Sequence, residues 1–182
     1  MYLVEKERET RSHKASCGYH RRWFWGLKAA KALQHSPVHV TLVDKRNFHL
    51  FQPLLYQEAT GGLSPGDIAN PLRAAVTGAR NIEVLAATVV DVLPDEHRVI
   101  LSDSELSYDS MVVAGATHHY FGRDDWAKSA PGLKTVEEVL CMRRRILLAF
   151  EAAERETDPA SDRPWLNFVI VGGGPTGAAL AC

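Results

Sequence analysis

Six residues near the end of the chain, Gly172-Gly173-Gly174-Pro175-Thr176-Gly177, have the types and spacing to hold a pyrophosphate. Glycines at the first, third and sixth positions serve a tight strand-to-helix turn, close approach of backbone to the phosphates, and close packing of helix on sheet. Residues 178–181 open the helix, whose first N–H groups and positive dipole end would face the anion. The element that must deliver this turn is the apolar run at 166–171, which reads as a buried parallel strand. Asp44 is the second chemical residue, at the end of the β-branched run 38–43. An acidic side chain about 20 residues beyond a glycine turn, at the end of a second strand, holds adenosine ribose hydroxyls. Alone it reads equally as a strand-end carboxylate in a turn.

Counting back from Asp44 puts the matching turn at Arg21-Arg22-Trp23-Phe24-Trp25-Gly26, where only Gly26 remains, at the sixth position. Tryptophan at the third position would fill the space a pyrophosphate enters. A non-glycine residue at positive φ costs about 1 kcal/mol or more.

The positioning elements follow from pattern. Residues 26–33 form a helix with Leu27, Ala30 and Leu33 on one face, stopped by Ser36-Pro37. Residues 48–66 read as loop, broken by Pro53, Gly61, Gly62 and Pro65. Asp67 caps a short helix to about Thr77, interrupted by Pro71. Strands at 82–85, 87–92 and 98–101 read as an antiparallel meander, and 111–114 as a further buried strand. The longest helix runs from Thr135 to about Arg155. Thr135 and Glu138 form its capping box, and Val136, Val139, Leu140, Ile146, Leu147 and Phe150 its apolar face. Residues 158–164 read as a linker.

Composition narrows the class. The chain has 182 residues, 46% of them apolar, and a formal charge of -1, so a real core is expected and nucleic acid is not an expected partner. No run is long enough to span a bilayer, and residues 1–23 carry no secretory h-region. Cys17, Cys141 and Cys182 are isolated, which fits a reduced cytoplasmic setting and no metal cluster. Cys141 reads as a small buried side chain, Cys182 as exposed, and Arg143-Arg144-Arg145 as a solvated helix face. His118-His119 point opposite ways on an extended segment and read as loop rather than metal pair.

Longer strings carry a resemblance. Residues 40–57 (Val40-Thr41-Leu42-Val43-Asp44-Lys45-Arg46-Asn47-Phe48-His49-Leu50-Phe51-Gln52-Pro53-Leu54-Leu55-Tyr56-Gln57), 62–69, 116–118 with 120–122, 131–135, 143–154 and the glycine motif resemble bacterial type II NADH dehydrogenases. These are FAD-dependent NADH:quinone oxidoreductases of the pyridine nucleotide-disulfide oxidoreductase superfamily, and the chain is similar to their N-terminal part. The resemblance implies an α/β fold, Rossmann-like and FAD/NAD(P)-binding, three-layered, with a parallel sheet and an antiparallel β-meander, here truncated. It implies an aberrant or disordered segment at 1–23, a partial FAD domain at 24–117, a connecting segment and long helix at 118–164, and the start of an NAD(H) domain at 165–182. FAD would lie at Gly26, Asp44, Lys45, Arg46, Asn47, Gln52, Pro53, Val89, Ala114 and Gly115. NADH would lie over Gly172, Gly174, Pro175, Thr176 and Gly177. Hydride would pass from nicotinamide to flavin and electrons to a quinone, with the cofactor supplying the chemistry. The aromatic and apolar side chains Phe48, Phe51, Leu54, Leu55 and Tyr56 read either as a flavin or quinone wall or as loop packing. Location would be cytoplasmic, or the cytoplasmic face of the inner membrane through a C-terminal region beyond this chain.

The chain departs from that family in four places. The first glycine turn is replaced, one Thr is missing between Ala114 and Gly115, Ala179 stands where the family has Glu, and roughly half the family's length is absent. A one-base shift in the codons for residues 14–23 would restore a glycine-rich string, so a frameshift is expected upstream of Phe24. The sheet would then lack its central first strand. Two rival readings are a ferredoxin or disulfide reductase, the latter disfavoured by the absence of a redox cysteine pair, and a non-catalytic remnant of the same family.

Overall fold

The computed structural model describes residues 1–7, 24–115, 123–157 and 164–181. The chain forms two units, Met1–His49 with Asn70–Thr117, and Leu50–Ala69 with His118–Cys182.

In the first unit, β1 (Tyr2–Glu7), β2 (Val38–Asp44), β5 (Ile82–Ala86) and β9 (Ser110–Val113) make a four-stranded sheet in the order β5-β2-β1-β9. β2 and β5 are parallel, with Val40 opposite Ile82 and Asp44 opposite Ala86. β1 runs antiparallel to both β2 and β9. The central position expected to be missing is therefore filled, by residues read as aberrant or disordered, and filled in the reverse sense. The expected meander also loses a member. Ile82–Ala86 joins the main sheet, because its alternating Ile82, Val84 pattern packs against β2. The antiparallel three-stranded sheet is β6 (Val89–Leu93), β7 (Arg98–Leu101) and β8 (Glu105–Ser107). A bulge at Val90 leaves that side chain 66% exposed.

Side-chain alternation sorts this unit into three layers. Leu3, Val40, Leu42 and Val84 meet Leu27 and Ala30 of α1 (Phe24–Ala32), together with Leu72 and Val76. Val4 and Val43 point to the other face and meet Val99, Leu101 and Tyr108 of the meander side. Asn81 fixes the exit of α1. Its Nδ2 donates to the carbonyls of Leu33 (2.8 Å), Val38 (3.0 Å) and Ser36 (3.3 Å).

The region expected to be loop at 48–66 carries β3 (Phe48–Leu50), a 3-10 turn at Gln52–Leu54, α2 (Leu55–Ala59) and the start of α3 (Pro65–Ile68). Ser64, not Asp67, is the N-cap of α3; the Asp67 carboxylate accepts from Ser64 N (2.8 Å) and Ser64 Oγ (2.7 Å). β4 (Ala69–Pro71) pairs with β3 and leads into α4 (Leu72–Ala75). In the second unit α2 packs on α5 (Val136–Ala153) and on α6 (Pro175–Ala181). The expected box starts α5: Glu138 N donates to Thr135 Oγ1 (3.2 Å) and Thr135 N to Glu138 Oε2 (3.0 Å).

Two further expectations fail in this unit, and a third holds only in part. The run 166–171 is not a buried strand; it pairs with no strand among the described residues, and Val169 is 88% exposed. Cys141 is exposed rather than buried. Of the arginines expected on a solvated face, Arg144 and Arg145 are exposed and Arg143 is half-buried. Arg143 Nη1 donates to the Leu63 carbonyl (3.1 Å), and Arg145 Nη2 to the Lys128 carbonyl (2.9 Å). Residues 116–122 and 158–163, with Arg21, Arg22, Trp23, Cys17 and Cys182, lie outside the described residues, so the readings of His118-His119 and of the linker do too.

Candidate functional site

Two glycine-bearing turns were expected, and the structure treats them differently. At the first, three parallel strands end on one rim of the sheet, at Asp44, Ala86 and Val113. This is the carboxyl edge at which open α/β sheets receive ligands. Gly26, Asp44 and Ala114 come together there, but through Met1. The Ala114 N–H donates to the Met1 carbonyl (3.0 Å). The Met1 amino nitrogen lies 3.8 Å from Asp44 Oδ2. A Cβ added to Gly26 would collide with Met1 Cε and stand 3.2 Å from Ala114 Cβ. Burial pushes the Met1 amino group below its ordinary pKa, against the opposing pull of Asp44.

The other Asp44 oxygen, Oδ1, accepts from the Arg46 N–H (2.9 Å). Lys45 and Asn47 are exposed. The Arg46 guanidinium sits 5.6 Å from the Phe48 ring centroid, and the Asn47 carbonyl accepts from Leu72 N (2.8 Å). Burial lowers the His49 pKa, Asp44 again opposing. Val89 packs beside the Val4–Val43 cluster, and Gly115 is exposed with open space around it. In the second unit Gln52 Nε2 donates to the Lys134 carbonyl (2.9 Å), and Pro53 lies inside the 3-10 turn.

At the second turn each glycine has a distinct reason. Gly172 adopts φ +109°, a conformation that side chains disfavour. A Cβ on Gly177 would collide with the Gly172 carbonyl oxygen and lie 3.4 Å from Ile170 Cγ2. Gly173 and Gly174 face open space within 4 Å. Pro175 begins α6, where its missing N–H costs nothing, Thr176 follows it, and Ala178 N donates to the Gly174 carbonyl (3.0 Å).

Sequence reasoning missed two groups. Met1 at the first rim had no signal in the pattern. Glu58 is fully buried, and neither carboxylate oxygen has a hydrogen-bond partner among the described residues. Burial raises its pKa, and the nearby Arg143 opposes that rise. Among the described residues no group of three His, Cys, Asp or Glu side chains could hold a metal ion, and no helix is long and apolar enough to cross a membrane.

Comparison with known proteins places this arrangement. The profile of the family described as "Pyridine nucleotide-disulphide oxidoreductase" matches residues 25–182. The type II NADH:quinone oxidoreductase NdhA of Mycobacterium tuberculosis is 48% identical over 163 residues, 87% of this chain and 35% of the relative. The same organism's type II NADH:quinone oxidoreductase Ndh is 45% identical over 166 residues, with the same shares. The chain thus spans about a third of the length of these curated relatives. Among solved structures, NDH2 of Plasmodium falciparum in complex with NADH superposes with a TM-score of 0.68 at 24% identity, over 77% of this chain and 30% of the other. The sulfide:quinone oxidoreductase of Aquifex aeolicus gives 0.60 at 21% identity, over 69% and 30%. The two solved structures support the shared fold. With the profile covering all but the first residues, the chain belongs to the pyridine nucleotide-disulphide oxidoreductase family.

Proposed function

We propose that the chain is a nucleotide-binding part of an NADH:quinone oxidoreductase, and that its own contribution to that activity is the turn 172–177, which receives the pyrophosphate of NADH. The observation that supports this is the pair Gly172 and Gly177. One needs a backbone conformation open to glycine, and the other lets α6 approach the turn to the point where no Cβ fits. Those answer to two of the three demands of a dinucleotide fingerprint, the tight turn and the close helix approach, beside a run that pairs with no strand among the described residues, and Gly173 and Gly174 leave the phosphate side open. FAD and NADH are the cofactors the family implies. A quinone as electron acceptor is part of the same proposal and rests on the likeness to the two mycobacterial NADH:quinone oxidoreductases; a location at the cytoplasmic face of a membrane is proposed with it.

The residues present at the first rim do not fit FAD. Both Asp44 oxygens face N–H or amino groups of this chain, and the space above Gly26 holds the Met1 side chain. No step through a flavin is therefore assigned to this chain.

Titration with NADH, followed by nicotinamide fluorescence, tests the proposal. Saturable binding is expected. Gly177→Val should abolish it, because the branched side chain drives into the Gly172 carbonyl. Gly173→Ala should retain it, since the added methyl meets nothing within 4 Å. Equal titration curves for Gly177→Val and the unaltered chain would refute the assignment.

A further inference from the structure

We propose that β1, lying reversed at the centre of the main sheet, closes the first dinucleotide cradle of this chain and excludes FAD from it. The inference rests on the oxidoreductase reading only for the identity of the excluded ligand. Its physical basis is direction. In a doubly wound sheet the strand beside β2 runs parallel to it and ends at the carboxyl rim. There it turns through glycines into the first helix, and the turn's bare backbone faces the phosphates. The order β5-β2-β1-β9 reproduces the usual 3-2-1-4 arrangement of such a sheet. The strand in position 1 is antiparallel to both neighbours.

Two consequences follow from that reversal. First, the rim receives the start of the strand rather than its end. Tyr2 lies opposite Val43 and Val113, while Glu7 lies opposite Val38 at the far edge. Five steps of about 3.3 Å, from Tyr2 at the rim to Glu7, put the end of β1 roughly 17 Å from it. The chain therefore leaves β1 at the wrong edge to make a strand-turn-helix phosphate loop with α1. Second, the groups that would meet the cofactor are already engaged with Met1. Its carbonyl takes the Ala114 N–H, its side chain lies against Gly26, and its backbone nitrogen approaches Asp44. Gly26 stands at the position that serves helix-on-sheet packing in such a turn, and its missing side chain here admits Met1.

The reversal is not a loose association. Leu3 is 1% and Val4 3% exposed, one on each face of the sheet, so β1 contributes to both apolar layers. A ligand that needs the cradle must displace a central strand rather than push aside a loop.

A disulfide clasp reads strand direction and cofactor exclusion together. With Cys17, Cys141 and Cys182 replaced by Ser, Glu5→Cys with Ser110→Cys joins register partners of the antiparallel pair. Tyr2→Cys with Ser110→Cys sits three residues out of register, about 10 Å apart, beyond disulfide reach. Each protein is oxidised, incubated with excess FAD, desalted and scored for flavin absorbance and for NADH binding. The first pair should cross-link, the second should not, and the clasped chain should retain no FAD. Failure of the first pair to cross-link, cross-linking of the second, or one FAD per clasped chain would each overturn the proposal. Loss of NADH binding alongside continued exclusion of FAD would count against the function proposed for the 172–177 turn and leave this inference standing.

Discussion

Replacing Glu58 by Met should make the protein more stable at neutral pH. Glu58 is fully buried on α2, and both carboxylate oxygens lack hydrogen-bond partners among the described residues. An unsatisfied buried polar group costs about 1–3 kcal/mol, and more when charged. Met has a similar length, no polar atoms to desolvate and the rotational freedom to fill the same space. Against this stands the attraction of Arg143, which opposes the upward shift of the Glu58 pKa without cancelling it. Arg143 keeps the Leu63 carbonyl as acceptor when the carboxylate is removed. The net expectation is a gain of about 1–3 kcal/mol at pH 7, or about 2–4 °C in Tm for each kcal/mol in a chain of this size. The sign with pH follows from the raised pKa. The folded state binds the proton more tightly than the unfolded chain, so stability from this group is full below the ordinary value of 4.5 and is lost as pH rises through the folded value. The advantage of Glu58→Met should therefore be large at pH 7 and shrink toward pH 4. Urea unfolding of both proteins at the two pH values, followed by tryptophan fluorescence, measures it. A loss of about 3–5 kcal/mol at pH 7 would refute the reasoning, since that is what breaking a well-paired buried ion pair costs.

Other substitutions test the framework that positions the two turns. Asn81→Ala removes the amide that joins the exit of α1 to the start of β2, leaving the Leu33, Ser36 and Val38 carbonyls without it. A loss of about 1–3 kcal/mol is expected in the same urea assay, and no change in Cm would show that water replaces the amide fully. Thr135→Ala opens the capping box of α5 and should lower stability by about 1 kcal/mol, with earlier hydrogen exchange at the Glu138 amide.

What was legible in the sequence was local. β2 was readable because its short β-branched run ends at an acidic residue, and the observed Val38–Asp44 agrees. The box at Thr135 was readable because both partners lie three residues apart. Gly172 and Gly177 were readable because a backbone requirement leaves glycine itself as the trace. Partner choice was not legible. The strand Ile82–Ala86 has an alternation that suits a meander as well as a parallel sheet, and only the distant β2 decides between them. Residues 166–171 carry a strand's composition, yet composition cannot supply the neighbour that makes a strand, and the run stays unpaired among the described residues. Glu58 sits in the string Tyr56-Gln57-Glu58-Ala59, where polar neighbours disguise a position that tertiary packing buries completely.

The direction of β1 is the case in which pattern is silent for a physical reason. Alternation decides which side chains face α1 and which face the meander, and it does so identically for a strand read forward or backward. Leu3 and Val4 satisfy the two layers either way. Sheet energetics do not favour the functional direction, because antiparallel pairing is slightly more stable per residue than parallel. What ordinarily forces position 1 to run parallel is the turn after it. A short glycine connection leaves the chain no length to return, so strand and helix must meet at one rim. In this chain the sixteen residues at 8–23 separate Glu7 from Phe24, and that length frees the strand to enter from either edge. The glycines of a dinucleotide turn therefore act twice, once in admitting the phosphates and once in fixing the polarity of the strand that precedes them. Without them at the first turn, the chain can meet every packing demand of the sheet while closing the site that the sheet exists to hold.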